Sequence, residues 1–161
     1  MTDDPSVIVQ LCAFAVGRQE YAIDVMRIRS IVRPLPVTPI PHAPPFVEGV
    51  VELRSSVIPV VDLRARLGVP AGEPGPKARM IIVYVSGREV ALRVDRVLEV
   101  MRVPRSTLRA APSLHPHQGP RFHLGVCEAV GRGEPVLRLL LNVRALVESL
   151  APVPPALGSG A

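Results

Sequence analysis

The sequence has no tryptophan, and its two tyrosines and three phenylalanines are only 3% of 161 residues. Any core must therefore be aliphatic, and single-stranded nucleic acid would find few aromatic platforms to stack on. Two cysteines, Cys12 and Cys127, are too few for a disulfide framework. Both lie in apolar runs without a neighbouring Lys or His, which reads as buried, inert thiols in a reducing compartment. No apolar stretch approaches the ~18 residues of a membrane span, because Arg, Asp or Pro interrupts each one. The opening Met1-Thr2-Asp3-Asp4-Pro5 is acidic and polar, so no signal peptide is expected. No run of Lys or Arg exists either. The net charge of +5 comes from arginines spread singly, weak support for a nucleic-acid partner.

Catalytic arrangements are also missing. Ser55 and Ser56 have no nucleophile-elbow context. Gly131-Arg132-Gly133 reads as a hairpin turn, without the helix and Lys/Ser of a phosphate loop. His115-Pro116-His117 offers two nitrogens, but two ligands do not make a metal site, and a solvated loop suffices. Asp24, Asp62 and Asp95 flank strands, where turn and capping roles account for them. No catalytic residue, cofactor or metal is expected.

What is present is a core-forming chain, 48% apolar and 20% charged. Pro-rich stretches at 34–45, 69–78 and from Pro152 onward read as linkers, edges and a disordered tail. Between them lie runs of strand length and β-branched content: 7–16, 20–25, 28–32, 47–53 and 57–63. Tyr21, Ile23 and Val25 alternate with Ala22 and Asp24. A helical turn is expected at 63–67, ended by Gly68, and a short helix at 143–150.

The second half repeats the first. Gly17-Arg18-Gln19-Glu20-Tyr21-Ala22-Ile23 returns as Gly87-Arg88-Glu89-Val90-Ala91-Leu92. Val25, Ile28 and Ile31 match Val94, Val97 and Val100. Phe46-Val47-Glu48-Gly49-Val50 matches Phe122-His123-Leu124-Gly125-Val126, which makes His123 a half-buried strand residue. Asp62-Leu63-Arg64-Ala65 matches Asn142-Val143-Arg144-Ala145. The offset grows from about 70 to about 80 residues, so insertion accumulates in the second copy. Two copies of five strands predict an all-β protein of two small packed barrels, whose closure removes exposed sheet edges. The repeated Gly49 and Gly125, inside apolar runs, predict bulges or close backbone approaches.

The runs EYAIDVMRIRSIV, FVEGVVELRSSVIPVVDLRARLG and VALRVDRVLEVM resemble the CheW family of chemotaxis adaptor domains, over about residues 7–150. The resemblance implies two five-stranded SH3-like barrels: approximately 14–68 and 79–142, joined by 69–78 and followed by a helix at 143–150. Residues 1–6 and 151–161 are flexible ends in this scheme. It implies a cytoplasmic scaffold that joins methyl-accepting chemoreceptor tips to the regulatory domain of a CheA-type histidine kinase, reaching receptor arrays through its partners. It further implies contact roles for Ile28 and Ser30 on a receptor-facing strand, and for Gly49, Glu52, Arg54 and Ser55 around the family's Leu-Arg-Gly motif. Three positions depart from the family pattern: Ser30 for glutamate, Glu52 for asparagine and Ser55 for glycine. An altered choice of receptor or kinase is the expectation. A basic SH3-like barrel that binds nucleic acid, or a CheW-like polarity hub without a receptor, are the alternatives.

Overall fold

The computed structural model describes residues 6–70, 75–110, 122–131 and 133–148. The first copy runs β1 (Ile8–Val16), β2 (Gln19–Asp24), a 3-10 turn (Val25–Arg27), β3 (Ile28–Val32), β4 (Val47–Leu53), β5 (Ser56–Asp62) and α1 (Leu63–Leu67). The second runs β6 (Arg79–Val85), β7 (Arg88–Val94), β8 (Arg96–Pro104), a 3-10 turn (Arg105–Thr107), β9 (Arg109–Ala110), β10 (His123–Gly131), β11 (Glu134–Leu141) and α2 (Val143–Val147). The expected strands and the turn at 63–67 are all present. Residues 1–5 and 151–161 of the expected flexible ends, the His115-Pro116-His117 loop and the last two residues of the expected helix lie outside the described residues.

The strands form two sheets, ordered β3-β6-β7-β5-β4 and β8-β1-β2-β11-β10-β9. Each row begins and ends on one stretch of chain. Beyond β3, Thr38 bridges Val50 of β4, through Thr38 N–H to Val50 O at 2.8 Å and the reverse bond at 2.9 Å. Beyond β8, β9 pairs with β10. Each sheet is thus completed as a barrel by a bent strand rather than by a full closing ladder.

One barrel per half of the chain, split near residue 69, does not match this pairing. The β1–β2 hairpin of the first copy lies between β8 and β11 of the second. The β6–β7 hairpin of the second lies between β3 and β5 of the first. The copies exchange hairpins. We call the β3–β7 unit the central barrel, and the other, which holds the first and last strands, the terminal barrel.

Exchange explains why the hairpins are apolar on both faces, as fully buried strands are. One face of each fills its own barrel. Ala91, Met80 and Ile82 pack with Val51, Ile58 and Val60. Leu11, Ala13 and Ala22 pack with Met101 and Cys127. The other faces form a third core between the barrels, where Cys12, Phe14, Tyr21 and Ile23 gather with Ile81, Val83, Val90 and Leu92. Both cysteines are buried and free, and burial raises both thiol pKa values.

The pairing also corrects the repeat. Gly17-Arg18 turns between paired Val16 and Gln19, and Ser86-Gly87 between paired Val85 and Arg88. Gly17 therefore corresponds to Ser86, one place from the match read in sequence. The later insertion lies partly in the β10–β11 hairpin. It continues past Ala129–Val136 through Val130–Pro135 and Gly131–Glu134, whereas β4–β5 ends at the equivalent Leu53–Ser56. Gly49 and Gly125 both sit at register shifts. A Cβ on either would strike a backbone carbonyl, that of Thr38 or Arg109, so both glycines let the returning strand approach.

Candidate protein-interaction site

All six residues singled out by resemblance belong to the central barrel. Arg54 and Ser55 form the two-residue turn between β4 and β5, with φ of 52° and 68°. Two positive φ values in a two-residue hairpin turn are the type I′ arrangement, which favours glycine or asparagine. Arg54, exposed, projects from the tip between the two strands. Glu52, exposed, pairs with Val57 just before the turn. Val57 is 66% exposed. Next to this tip, β5 and β7 diverge below their last paired residues, Val60 and Ala91. They leave an open cleft of about 580 Å³ lined by residues 56–59 and 86–89.

Gly49 is buried on the same strand and shapes the bridge to Thr38 rather than offering a side chain. Ile28 and Ser30 lie on β3, at the other end of the strand row, and both are half-buried. Ile28 packs against the inter-barrel core. Among the described residues, no hydrogen bond or ion pair between side chains joins the β3 pair to the β4–β5 group.

The neighbour of Ser30, Arg29, stacks its guanidinium over Tyr84 at 4.2 Å. A second arginine that sequence reading passed over lies at the seam of the barrels. Arg66 stands 4.1 Å from the ring of Phe46 and 4.6 Å from that of Phe122, two repeat-equivalent positions. Its Nε donates to Leu146 O at 3.2 Å, and burial lowers its pKa. The match of Phe46 with Phe122 was the available signal; nothing local marks Arg66 as the group between them.

A third arginine, Arg138, is buried in the terminal barrel. It donates to Glu20 Oε1 and Glu99 Oε2, both at 2.8 Å. By pairing, Arg138 corresponds to Ile58 and Glu99 to Ser30. The acid missing from β3 is thus present on β8, where it holds a buried cation.

Asp24, Asp62 and Asn142 cap the turns that follow them by accepting from Met26 N, Arg64 N and Ala145 N. Asp95 pairs with Arg64 at 2.7 Å. His123 is half-buried, and burial lowers its pKa. Among the described residues no group of three His, Cys, Asp or Glu side chains could hold a metal ion, and no helix is long and apolar enough to cross a membrane.

The chain matches the CheW-like domain model over residues 10–151. It is 39% identical over 123 residues to the chemotaxis protein CheW of Rhizobium meliloti (strain 1021), covering 76% of this chain and 79% of that one. It is 28% identical over 136 residues to the protein FrzA of Myxococcus xanthus, covering 84% and 83%. The crystal structure of the scaffolding protein TtCheW from Thermoanaerobacter tengcongensis superposes with a TM-score of 0.78 at 25% identity, over 89% of this chain and 95% of that one. The two interlocked barrels, their exposed hairpin tip and the sequence blocks that carry the likeness lead to one conclusion: this chain belongs to the CheW-like domain family.

Proposed function

We propose that this protein is a non-catalytic adaptor of chemotaxis-type signalling that joins chemoreceptor tips to the regulatory domain of a CheA-type histidine kinase. It works in the cytoplasm and reaches receptor arrays through those partners. The observation that carries the reading is the β4–β5 tip of the central barrel. Glu52, Arg54, Ser55 and Val57 are all exposed there beside an open cleft, and none is needed to hold a core. An exposed charged tip next to an apolar residue is the composition of a protein contact. Ile28 and Ser30 supply a second contact on β3.

Departure from the family at Ser30, Glu52 and Ser55 supports altered partner choice, as in a divergent or accessory chemosensory system. A pull-down with the CheA regulatory domain tests the reading. Wild-type protein is retained, and Arg54→Glu is retained less while its circular dichroism is unchanged. A folded wild type that shows no association at tens of micromolar sinks it.

Nucleic-acid binding has less support, since the aromatic rings are already engaged. Phe14 and Tyr21 are buried and stacked on each other. Phe46 and Phe122 face Arg66, and Tyr84 lies under Arg29. A salt-dependent gel shift would revive that alternative. A polarity hub without a receptor would bind the kinase domain or another partner but not a receptor fragment.

A further inference from the structure

The two barrels carry the same cleft at equivalent places, with opposite electrostatic character. In the central barrel it is lined by Glu48, Asp62 and Asp95 together with Arg64 and Arg93. Each of the two arginines faces a carboxylate of the same lining. Arg93 pairs with Glu48 at 2.6 Å and Arg64 with Asp95 at 2.7 Å.

In the terminal barrel, Leu124 stands where the central barrel has Glu48, and Asn142 where it has Asp62. Met26, 88% exposed, takes the place of Asp95. Of the two central bases only Arg64 keeps a basic counterpart, Arg144; Asp24 stands where Arg93 does, and Arg27 and Arg105 are added from positions outside the central lining. Arg27, Arg105 and Arg144 line this cleft of about 330 Å³, with Asp24 as the single acid. Asp24 already caps the turn at Met26. Among the described residues neither Arg27 nor Arg144 has an ion pair. The floor is aliphatic: Leu11, Leu108, Leu140 and the 56%-exposed Leu124.

We propose that this cleft docks an acidic, aliphatic segment of a partner protein, whose carboxylates pair with Arg144, as Asp95 does with Arg64 in the other barrel, and with Arg27. Guanidinium groups pair with carboxylates in a two-pronged geometry, and the leucine floor buries the apolar side chains of the same segment. A nucleotide would find no ring to stack on in this lining. The inference goes beyond the adaptor reading, and its test needs neither the kinase nor a receptor.

The probe is a capped helical peptide of leucine and glutamate, with leucine at i, i+3, i+4 and i+7, titrated into the full chain labelled with ¹⁵N. Amides near Arg27, Arg105, Leu124 and Arg144 shift and saturate as the peptide rises through about 1 mM. The double variant Arg27→Glu/Arg144→Glu binds at least about tenfold more weakly. The same peptide with lysine for glutamate leaves these amides in place. Two results would overturn the proposal: no saturable shift at the cleft with the acidic peptide, or equal shifts with the lysine peptide. Arginine-dependent sedimentation with phosphatidylglycerol vesicles, the acidic peptide leaving the cleft unmoved, would overturn it in favour of a lipid surface. Failure of kinase binding alongside a positive titration removes the adaptor reading and leaves this one standing.

Discussion

Single residues in the central barrel hold unfavourable conformations or charges that substitution can relieve. Ser55 sits at φ 68°, where a side chain costs roughly 1–2 kcal/mol that glycine avoids. Ser55→Gly should raise stability by about 1 kcal/mol, read as a higher urea midpoint at constant slope. Gly49→Ala goes the other way. Its backbone has φ of 150° and its new methyl would meet the Thr38 carbonyl, so a loss above about 2 kcal/mol is expected by the same measurement. Glu48 gives a pH signature. Burial raises its pKa and outweighs the pull of Arg93. A carboxyl raised in the folded state contributes stability below its unfolded pKa, and that contribution is lost as pH rises through the folded value. Urea midpoints of the wild type should therefore fall across that range relative to those of Glu48→Gln; parallel curves would contradict the assignment.

At the scale of elements, the Arg138 cluster ties β11 to β2 and β8 through Glu20 and Glu99. The central barrel fills the corresponding place with Ile58. Replacing the whole cluster, Arg138→Ile/Glu20→Gln/Glu99→Gln, should accordingly keep stability within about 1 kcal/mol, because a buried ion cluster exchanges as a unit for neutral packing at little loss. Glu20→Ala/Glu99→Ala strands the guanidinium instead, and is expected to cost about 3–5 kcal/mol. Thermal melts of the two variants should separate clearly.

Element boundaries were legible because they depend on local patterns: alternation at Tyr21 and Ile23, the Asp62 cap, Gly68 after the helical turn. The recurrence of Gly49 and Gly125 told of close approaches for the same reason. Which hairpin enters which barrel was not legible, since either arrangement buries the same apolar faces. The deciding pairs, such as Tyr21 with Leu139, are remote in sequence. The site was legible only in part. The Arg54–Ser55 tip follows from its motif, but the cleft arginines stand singly at 27, 105 and 144 and meet only after folding.

At the scale of the molecule, neither half can complete a barrel alone. Chains 1–72 and 73–161, expressed separately, should be insoluble or unfolded, because each lacks the hairpin that the other donates. Expressed together they should copurify one to one with the sheet signature of the intact protein in circular dichroism. Two soluble, independently folded halves would refute the exchanged pairing. The arrangement is that of a homodimer with swapped hairpins, rewritten as one polypeptide. A homodimer must present two identical ends, since each mutation appears twice. Fusion removes that constraint: one end can pair its arginines with its own acids, while the other leaves two arginines to a partner.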